Sequence, residues 1–296
     1  MSALSPGSLI HRYEVEQVLG AGAFGIVYLA RHKSLGYQVV IKEYLPEALA
    51  CRLDGQVLAK SAAVAEIYHE SLQRFTLECE TLLKLDHDNI VFVYDCFYAS
   101  GTAYMVMQYE SGTTLWQHYA TQVQQQQQPF SWWQLSQILP GVFAGLHYMH
   151  QRQIVHRDIK PGNIFLRTGT KVHPLIIDFG AVKQAGGYVS QYAQNTPAYC
   201  ALEQEYGIHP IGPWTDIHAL GVMMAELLTM HRPQTAYQRQ QALLAGEADS
   251  MSQLLLYISD QGDARLAEAL YFATRLDPTE RFQSISDFKA ALPTFE

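Results

Sequence analysis

The stretch that most constrains this 296-residue chain is HRDIKPGNIFL, at residues 156–166. It places histidine, arginine, aspartate, lysine and asparagine within a few positions, directly before a short apolar run. Asp158 precedes Asn163 by five residues, and Asp178 follows in LIIDFG. Two short paired strands would bring these three oxygen-bearing side chains together. Carboxylate and amide oxygens suit Mg²⁺, which usually takes one or two protein carboxylates together with substrate phosphates.

A second motif, LGAGAFGIVYLA, contains Gly20, Gly22 and Gly25 in the pattern G-x-G-x-x-G, which two nucleotide-binding architectures share. A dinucleotide-binding loop would open a helix and meet an acidic residue about 20 positions later. Here a β-branched and aromatic run follows instead, and a second strand, YQVVIKEY, comes after a turn at Gly36. The glycines therefore lie in an antiparallel hairpin. The pattern alone leaves open whether it is an ordinary flexible hairpin or a cover for a phosphate chain.

Composition excludes several classes of protein. With 48% hydrophobic residues the chain can bury one large core or two smaller ones. A formal net charge of −8 argues against a general binder of nucleic acid or anionic membranes. No run of 18 apolar residues predicts a membrane span. The four cysteines form no C-x-x-C pair and follow no signal peptide, which favours a cytoplasmic location. His147 and His150 lack a third ligand at a zinc spacing, so we interpret them as packing or surface residues.

The order of predicted elements indicates an α+β chain with two domains, residues 1–108 and 109–296. The first reads as strands with one helix, HESLQRFTLECETLLKLD, and the second reads mainly as helices. Five residues of that first helix share one apolar face: Leu72, Phe75, Cys79, Leu82 and Leu83. Glu78 borders this face, and a carboxylate at a buried edge requires a cation.

Further along the chain, TAYMVMQYESG predicts a strand ending near Gln108, and QVQQQQQP predicts an exposed polar loop. A wide apolar stripe then predicts a long docked helix; it comprises Leu135, Ile138, Leu139, Val142, Phe143, Leu146 and Met149. LIIDFG predicts a short buried strand, and TDIHALGVMMAELLTM predicts an apolar helix.

Taken together, these motifs resemble those of the eukaryotic-type serine/threonine protein kinases that also occur in bacteria. GAGAFGIV, which includes Val27, matches their glycine-rich loop, and VVIK matches the strand lysine at Lys42. HRDIKPGN matches the catalytic loop, and DFG begins the activation segment at Asp178. Glu78 matches the helix glutamate that pairs with the lysine. The resemblance covers about residues 10–292 and implies a bilobal kinase fold, with an antiparallel N-lobe sheet, one main N-lobe helix and a mainly helical C-lobe.

The resemblance implies phosphoryl transfer from ATP to serine or threonine hydroxyls of proteins, in which positioning and charge neutralisation lower the barrier. Asp158 would accept the proton of the substrate hydroxyl. Lys160 would steady the γ-phosphate, and a lysine at this position marks the serine/threonine kinases. Asn163 and Asp178 would bind Mg²⁺, for which Mn²⁺ is a possible substitute.

The resemblance also assigns the nucleotide contacts. Lys42 would hold the α- and β-phosphates and be held by Glu78. Adenine would bond main-chain atoms of Gln108 and Glu110, with Met107 at the back of its pocket. Self-association for autophosphorylation in trans would provide a further partner.

Taken singly, each of these residues could also have an ordinary structural role without any catalytic function. Lys42 could be a surface lysine, Glu78 an i,i+4 partner of Arg74, and Asp158 and Asp178 turn formers. Three other residues match family positions that hold the helical lobe together: Asp216, Glu203 and Arg281, the last two as an ion pair. We interpret these three as structural.

The activation segment departs from the family pattern. It ends in Ala-Leu-Glu, so Leu202 replaces the usual proline and leaves φ free, and Asn195 replaces a common glycine. Arg157 suggests a basic pocket for a phosphate from this segment. Ser190 is the first candidate for that phosphate and Thr196 the second; alternatively, the segment is ordered without modification.

The stretch at residues 45–70 is longer than the usual connection. It either caps the helix or recruits a regulator, or it is an extra loop with a helical turn. Two other functions stand beside an active protein kinase. A pseudokinase scaffold would usually lack Lys42, Asp158 or Asp178, and this chain has all three. A small-molecule kinase would lack the long activation segment and the helix that carries Asp216.

Overall fold

The computed structural model describes residues 3–169, 172–178, 183–184, 197–206 and 210–294. The chain divides into two compact units. The first unit comprises residues 1–87 and 91–110, and the second comprises residues 88–90 and 111–296. The sequence analysis placed the boundary after residue 108, two residues before the boundary in the structure, which follows residue 110. No sequence pattern indicated that residues 88–90 belong to the second unit.

The first unit is built on an antiparallel six-stranded sheet, to which a separate two-stranded hairpin and one helix are added. The elements are β1 (Leu9–Ile10), β2 (Tyr13–Gly22), β3 (Gly25–His32), β4 (Gln38–Tyr44), the hairpin strands β5 (Ala50–Leu53) and β6 (Gln56–Ala59), α1 (Ala62–Leu82), β7 (Val93–Ala99) and β8 (Thr102–Gln108). The strand order in the sheet is β1-β2-β3-β4-β8-β7. This arrangement confirms the predicted sheet with one main helix.

The helix α1 begins earlier than the sequence analysis predicted and ends sooner. Leu72, Phe75, Cys79 and Leu82 are buried, as expected from their helical spacing. Leu83 is 40% exposed, so its assignment to the buried face was wrong. The helix ends at Leu82 and Leu83 is its C-cap, where the chain turns away from the stripe. The hairpin β5–β6 and the first turns of α1 occupy residues 50–70, rather than a loop with a single helical turn.

The second unit is mainly helical in its described part. It has two small sheets, with the strand orders β12-β11-β9 and β10-β13. The elements are β9 (Gly112–Thr114), α2 (Leu115–Gln126), α3 (Trp132–Gln151), β10 (Ile154–Val155), β11 (Ile164–Arg167), β12 (His173–Ile176), β13 (Lys183–Gln184), α4 (Leu202–Tyr206), α5 (Pro213–Thr229), α6 (Ala236–Leu244), α7 (Ser250–Asp260), α8 (Ala264–Ala273) and α9 (Ile285–Ala291), with 3₁₀ turns at Pro161–Asn163 and Pro278–Glu280.

The glutamine tract shows where the sequence interpretation failed. Helix α2 starts at a reciprocal cap between Thr114 and Gln117 and continues to Gln126, so residues 122–126 are helical rather than a loop. Glutamine is a good helix former, and a polar helix end needs only solvent on its outer side. The helix stops where Gln127 adopts a left-handed conformation, with φ of 54°.

Two predicted elements of the second unit are confirmed. All seven residues of the predicted apolar stripe on α3 are buried. The predicted strand in LIIDFG is β12, which ends at Ile176, so Asp178 lies beyond it.

None of the helices in the described ranges has the length and apolar character needed to cross a membrane. The four cysteines are free thiols.

Candidate active site

The glycine-rich hairpin pairs β2 with β3, so that Gly22 lies opposite Gly25 and Gly20 opposite Val27. A Cβ atom at Gly25 would lie 2.0 Å from the backbone oxygen of Glu43, so β3 can pack on β4 only with glycine here. Cβ atoms at Gly20 and Gly22 would meet no described atom within 4 Å. The fold leaves space beside these two glycines, which fits their predicted role in letting the backbone approach a phosphate chain.

Lys42 is half-buried in the middle of β4, and Glu78 is half-buried on α1, directly before the buried Cys79. A hydrogen bond with Cys96 and burial raise the pKa of the Cys79 thiol, and the charges of Glu78 and Lys42 also act on it. Both side chains therefore lie near one thiol. Arg74 pairs with Glu70 at 3.2 Å. The ion pair between Lys42 and Glu78 stays a prediction.

The predicted adenine contacts lie at the end of β8 and just beyond it. Met107 is buried. The backbone amide of Gln108 donates to the carbonyl of Phe92 at 2.9 Å, and its side-chain amide donates to Glu110 Oε1 at 2.8 Å. These bonds fix the segment from Met107 to Glu110 within the first unit. Contacts with adenine itself stay a prediction.

The catalytic loop holds the Asp158 carboxylate by two side chains of the same loop. Lys160 Nζ lies 2.7 Å from Asp158 Oδ2. Asn163 Nδ2 donates to the same oxygen at 2.9 Å and to the Asp158 carbonyl at 2.8 Å. Three of the predicted residues of the second unit are therefore brought together, with a cation beside the carboxylate.

Asp158 belongs to a closed ring of hydrogen bonds. The carbonyl of Asn163 accepts from the amide of Ile177 at 2.9 Å, and the Ile177 carbonyl lies 3.3 Å from His156 Nε2. His156 Nδ1 accepts from the amide of Asp158 at 3.3 Å, which completes the ring. Since Nδ1 accepts, the ring proton belongs on Nε2, which donates to Ile177. Burial lowers the pKa of His156, so the neutral imidazole is favoured.

Asp216 binds the backbone of the same catalytic loop. It is fully buried on α5, and its two carboxylate oxygens accept the backbone amides of His156 and Arg157 at 2.9 and 2.7 Å. His150 Nε2 lies 2.7 Å from Asp216 Oδ2. Burial would raise the pKa of Asp216, but the hydrogen bonds from His150 and the Arg157 amide, together with the charges of His150 and His156, outweigh it and the pKa is lowered. This use of His150 was missed, and nothing in its sequence neighbourhood pointed to it.

Arg157 sits between these groups in a left-handed conformation, with φ of 70°. A non-glycine residue adopts this conformation only when its surroundings enforce it. Here its amide is bound by Asp216, and its carbonyl accepts from Gln204 Nε2 at 2.8 Å. Burial lowers the pKa of the Arg157 guanidinium. The candidate phosphosites Ser190 and Thr196, and Asn195 between them, lie outside the described residues.

Asp178 follows Ile177, whose amide bonds to Asn163, so the backbone brings the two predicted metal ligands to one place. The Asp178 side chain is exposed, and φ is 60°. Because Asn163 Nδ2 faces Asp158, its amide oxygen points the other way. One carboxylate and one amide oxygen form a donor set that fits Mg²⁺, which keeps several waters and takes phosphate oxygens. Among the described residues, no group of three or more histidine, cysteine or acidic side chains is arranged so that it could hold a metal ion.

The predicted ion pair between Glu203 and Arg281 is present. Arg281 Nη1 and Nη2 donate to the two carboxylate oxygens at 2.8 and 3.0 Å, and both side chains are fully buried. Thr215 Oγ1 also donates to Glu203 at 2.9 Å. The pair joins α4 to the 3₁₀ turn at Pro278–Glu280 and does not touch Asp158, which supports a structural role.

The sequence model of the protein kinase domain matches residues 13–276. The chain belongs to the protein kinase family. Its kinase relatives include serine/threonine-protein kinase C of Synechocystis sp., 33% identical over 288 residues, and serine/threonine-protein kinase Pkn1 of Myxococcus xanthus, 30% identical over 283 residues. Each alignment covers 93% of this chain. The kinase is therefore of the bacterial serine/threonine type.

This kinase domain spans 48% of the Synechocystis protein and 37% of Pkn1. Solved structures match it almost end to end. The apo form of PpkA-294 has a TM-score of 0.81 at 26% identity, with 98% of this chain and 99% of the other covered. The PknI kinase domain of Mycobacterium tuberculosis has a TM-score of 0.71 at 26% identity, with 98% of each chain covered. The kinase fold is thereby confirmed.

Proposed function

We propose that this kinase domain transfers the γ-phosphoryl group of ATP to serine and threonine hydroxyls of proteins. The observation that carries the proposal is the Asp158 carboxylate, held on one oxygen by Lys160 and Asn163 as part of a ring of hydrogen bonds. A general base must be held in place to abstract a proton efficiently, and this ring holds it.

Asp158 orients the acceptor hydroxyl and takes its proton as the new oxygen–phosphorus bond forms. Lys160, which lies beside that carboxylate, neutralises charge on the γ-phosphoryl group during transfer.

The first unit supplies the nucleotide contacts. Backbone amides of the hairpin at Gly20, Gly22 and Gly25 cover the phosphates beside Val27, and Lys42, held by Glu78, binds the α- and β-phosphates. Gln108 and Glu110 bond adenine through their main chains, and Met107 lies behind it.

Asn163 and Asp178 would hold Mg²⁺, with Mn²⁺ as a possible substitute. Bound there, the ion would neutralise the charge that develops on the phosphates during transfer. Asn163 serves both sites, since its nitrogen positions Asp158 while its oxygen faces the metal position.

We further propose that the domain phosphorylates a second copy of itself, at Ser190 or Thr196, and that Arg157 binds the resulting phosphate. The cytoplasm is the proposed location, because ATP is present there and free thiols such as the four cysteines persist in a reducing compartment.

Intact-mass spectrometry after incubation with ATP and Mg²⁺ tests the proposal. The wild type should gain phosphates in steps of about 80 Da, and Asp158→Asn and Asp178→Asn should gain none under the same conditions. With a peptide substrate, Asp158→Asn should lower kcat by about 10²- to 10⁴-fold. Glu280→Gln, an exposed residue of the second unit, is the matched control and should behave as wild type.

Mixing active enzyme with a shortened Asp158→Asn chain tests transfer between copies, because the acceptor has its own mass. Phosphate on that acceptor supports transfer in trans. ATP binding without phosphate on any protein would contradict the kinase proposal and indicate a pseudokinase scaffold.

A further inference from the structure

Directly beside Lys42, on the same strand, the first unit contains a fully buried carboxylate. Glu43 shares a face of β4 with the buried Val39 and Ile41, and its relative exposure is 0%. Three groups donate to it. Tyr104 Oη bonds Oε1 at 2.6 Å, Tyr28 Oη bonds Oε2 at 2.9 Å, and Arg52 Nη2 bonds Oε2 as an ion pair.

The cation of this cluster comes from the inserted hairpin. Arg52 lies on β5, and its side chain is only 8% exposed. On the other strand, the amide of Val57 donates to the carbonyl of Ser100 at 2.8 Å. Gly101 permits this approach, since a Cβ atom there would lie 2.3 Å from the Val57 oxygen. The hairpin is thus fastened to β4 through Arg52 and to the turn between β7 and β8 through Val57.

Fixing Glu43 also fixes its neighbour Lys42. Successive residues of a strand point to opposite faces, so the two side chains share one peptide unit while facing different environments. Lys42 lies opposite Val27 on β3 and Met105 on β8. Tyr104, which donates to Glu43, directly precedes Met105 on β8. The hydrogen bond between Tyr104 and Glu43 therefore joins β8 to β4 next to Lys42.

We propose that Arg52 is a positioning residue for Lys42, and that the inserted hairpin is the device that delivers it. The inference rests on the proposed function in one respect, the binding of ATP phosphates by Lys42. Arg52 acts on Lys42 through Glu43, whose carboxylate anchors β4 against movement along and across the sheet. The residue-45–70 stretch, longer than the usual connection, thereby acquires a role in the nucleotide half of the site.

The Arg52→Met variant tests this role in the full chain, well below its unfolding temperature. We expect KM for ATP and the dissociation constant for ATP to rise by roughly tenfold, with KM for a protein substrate unchanged, because misplacing a phosphate contact by about 1 Å is costly. Arg52→Lys should recover part of the loss, since lysine keeps the charge but not the fork of donors.

A double variant separates positioning from stability. Glu43→Gln with Arg52→Met removes both charges, so no unpaired carboxylate is buried and folding should largely recover. ATP affinity should remain weak, because the anchor is still absent. A pair that merely stabilises the fold would give normal ATP affinity in this folded double variant, and that result would overturn the proposal.

Two controls bound the effect. Ile10→Ala truncates a buried side chain on the edge strand β1 and provides a destabilised first unit with Arg52 intact. Arg31→Met removes an exposed ion pair with Glu16 from the same sheet. Both variants should bind ATP as tightly as the wild type does. If Ile10→Ala raises the dissociation constant for ATP as much as Arg52→Met does, the proposed positioning role is wrong.

Because ATP affinity is measured by equilibrium binding, the outcome is distinct from that of the kinase assay. A wild type that binds ATP but transfers no phosphate contradicts the proposed function and still allows the test of Arg52. A wild type that does not bind ATP overturns both.

Discussion

Among the described residues, each unit buries one arginine–glutamate pair, but the two pairs are built differently. In the second unit, Glu203 and Arg281 are 78 residues apart and meet through two parallel hydrogen bonds with no exposure. In the first unit, Glu43 and Arg52 are nine residues apart, and one guanidinium nitrogen shares the carboxylate with two tyrosine hydroxyls.

The difference lies in what each pair holds. Arg281 also donates to the backbone carbonyls of Trp214, Arg275 and Leu276, so it gathers distant segments of the helical unit. The pair in the first unit fastens one short hairpin to one strand. A buried ion pair adds little net stability compared with apolar packing, but breaking one partner leaves an uncompensated charge. Both pairs therefore matter mainly for where they fix the chain.

The largest expected effect is that of Arg281→Met. It leaves the Glu203 carboxylate buried with Thr215 as its donor, and we expect the free energy of unfolding to fall by about 3–5 kcal/mol. Urea unfolding followed by circular dichroism measures the loss. Arg275→Met, which removes an exposed pair with Glu280, is the control, and an equal loss in both variants would contradict the distinction between buried and exposed pairs.

Arg52→Met should cost less, about 2–4 kcal/mol, because Glu43 keeps the hydroxyls of Tyr28 and Tyr104 as donors. Urea unfolding again measures the change. Adding Tyr104→Phe should enlarge the loss by more than Tyr104→Phe costs alone, since the two donors serve one carboxylate. Simple additivity would show that they act independently.

Acid should destabilise the second unit through its buried histidines. Burial lowers the pKa of both His156 and His218 from the ordinary value of 6.5. Below that pH the unfolded chain binds protons that the folded chain does not, so the free energy of unfolding falls as pH falls, by at most about 1.4 kcal/mol per pH unit for each histidine.

Unfolding measured from pH 7 to pH 5 checks this slope. His218→Gln should reduce it, whereas His231→Gln, at an exposed residue, should leave it unchanged. Asp216, whose pKa is lowered from 3.8, adds a loss only at lower pH. A stability that stays level between pH 7 and pH 5 would contradict the prediction.

The smallest effect is expected for Arg74→Ala. Arg74 and Glu70 form an exposed i,i+4 pair on α1, with exposures of 48% and 58%. Such pairs contribute about 0.2–0.5 kcal/mol and are screened by salt. Thermal unfolding at low and high salt should show a small loss that disappears at high salt; a loss close to that of Arg52→Met would remove the contrast between buried and exposed charge.

Much of the fold followed from local patterns. The spacing of apolar residues predicted α3, because burial on one face repeats with the period of the helix. A β-branched and aromatic run followed by a second strand after a turn predicted the hairpin of β3 and β4. The same reasoning did not predict the end of α2, because residues 122–126 show no helical repeat of apolar residues. The pair between Glu203 and Arg281 was found only through family resemblance, because 78 residues separate its members.

The candidate site was predictable to the same degree. Asp158 and Asn163 stand five residues apart, and a short turn brings them together whatever the rest of the chain does. The role of Glu43 was open to prediction, since the alternation Val39, Ile41, Glu43 places a carboxylate on a core face that requires a cation. That Arg52 is this cation could not be predicted, because no local sequence feature distinguishes it from a surface arginine on a hairpin.

The glycine-rich hairpin has a consequence for how its motif tolerates change. Gly25 is fixed by packing against the Glu43 backbone, whereas Gly20 and Gly22 face open space among the described atoms. In a library of variants selected only for folding, alanine should survive at positions 20 and 22 and be lost at position 25. Selection for nucleotide binding should remove it from all three. That outcome would show that packing against β4 maintains the last glycine of the motif, whereas nucleotide binding maintains the first two.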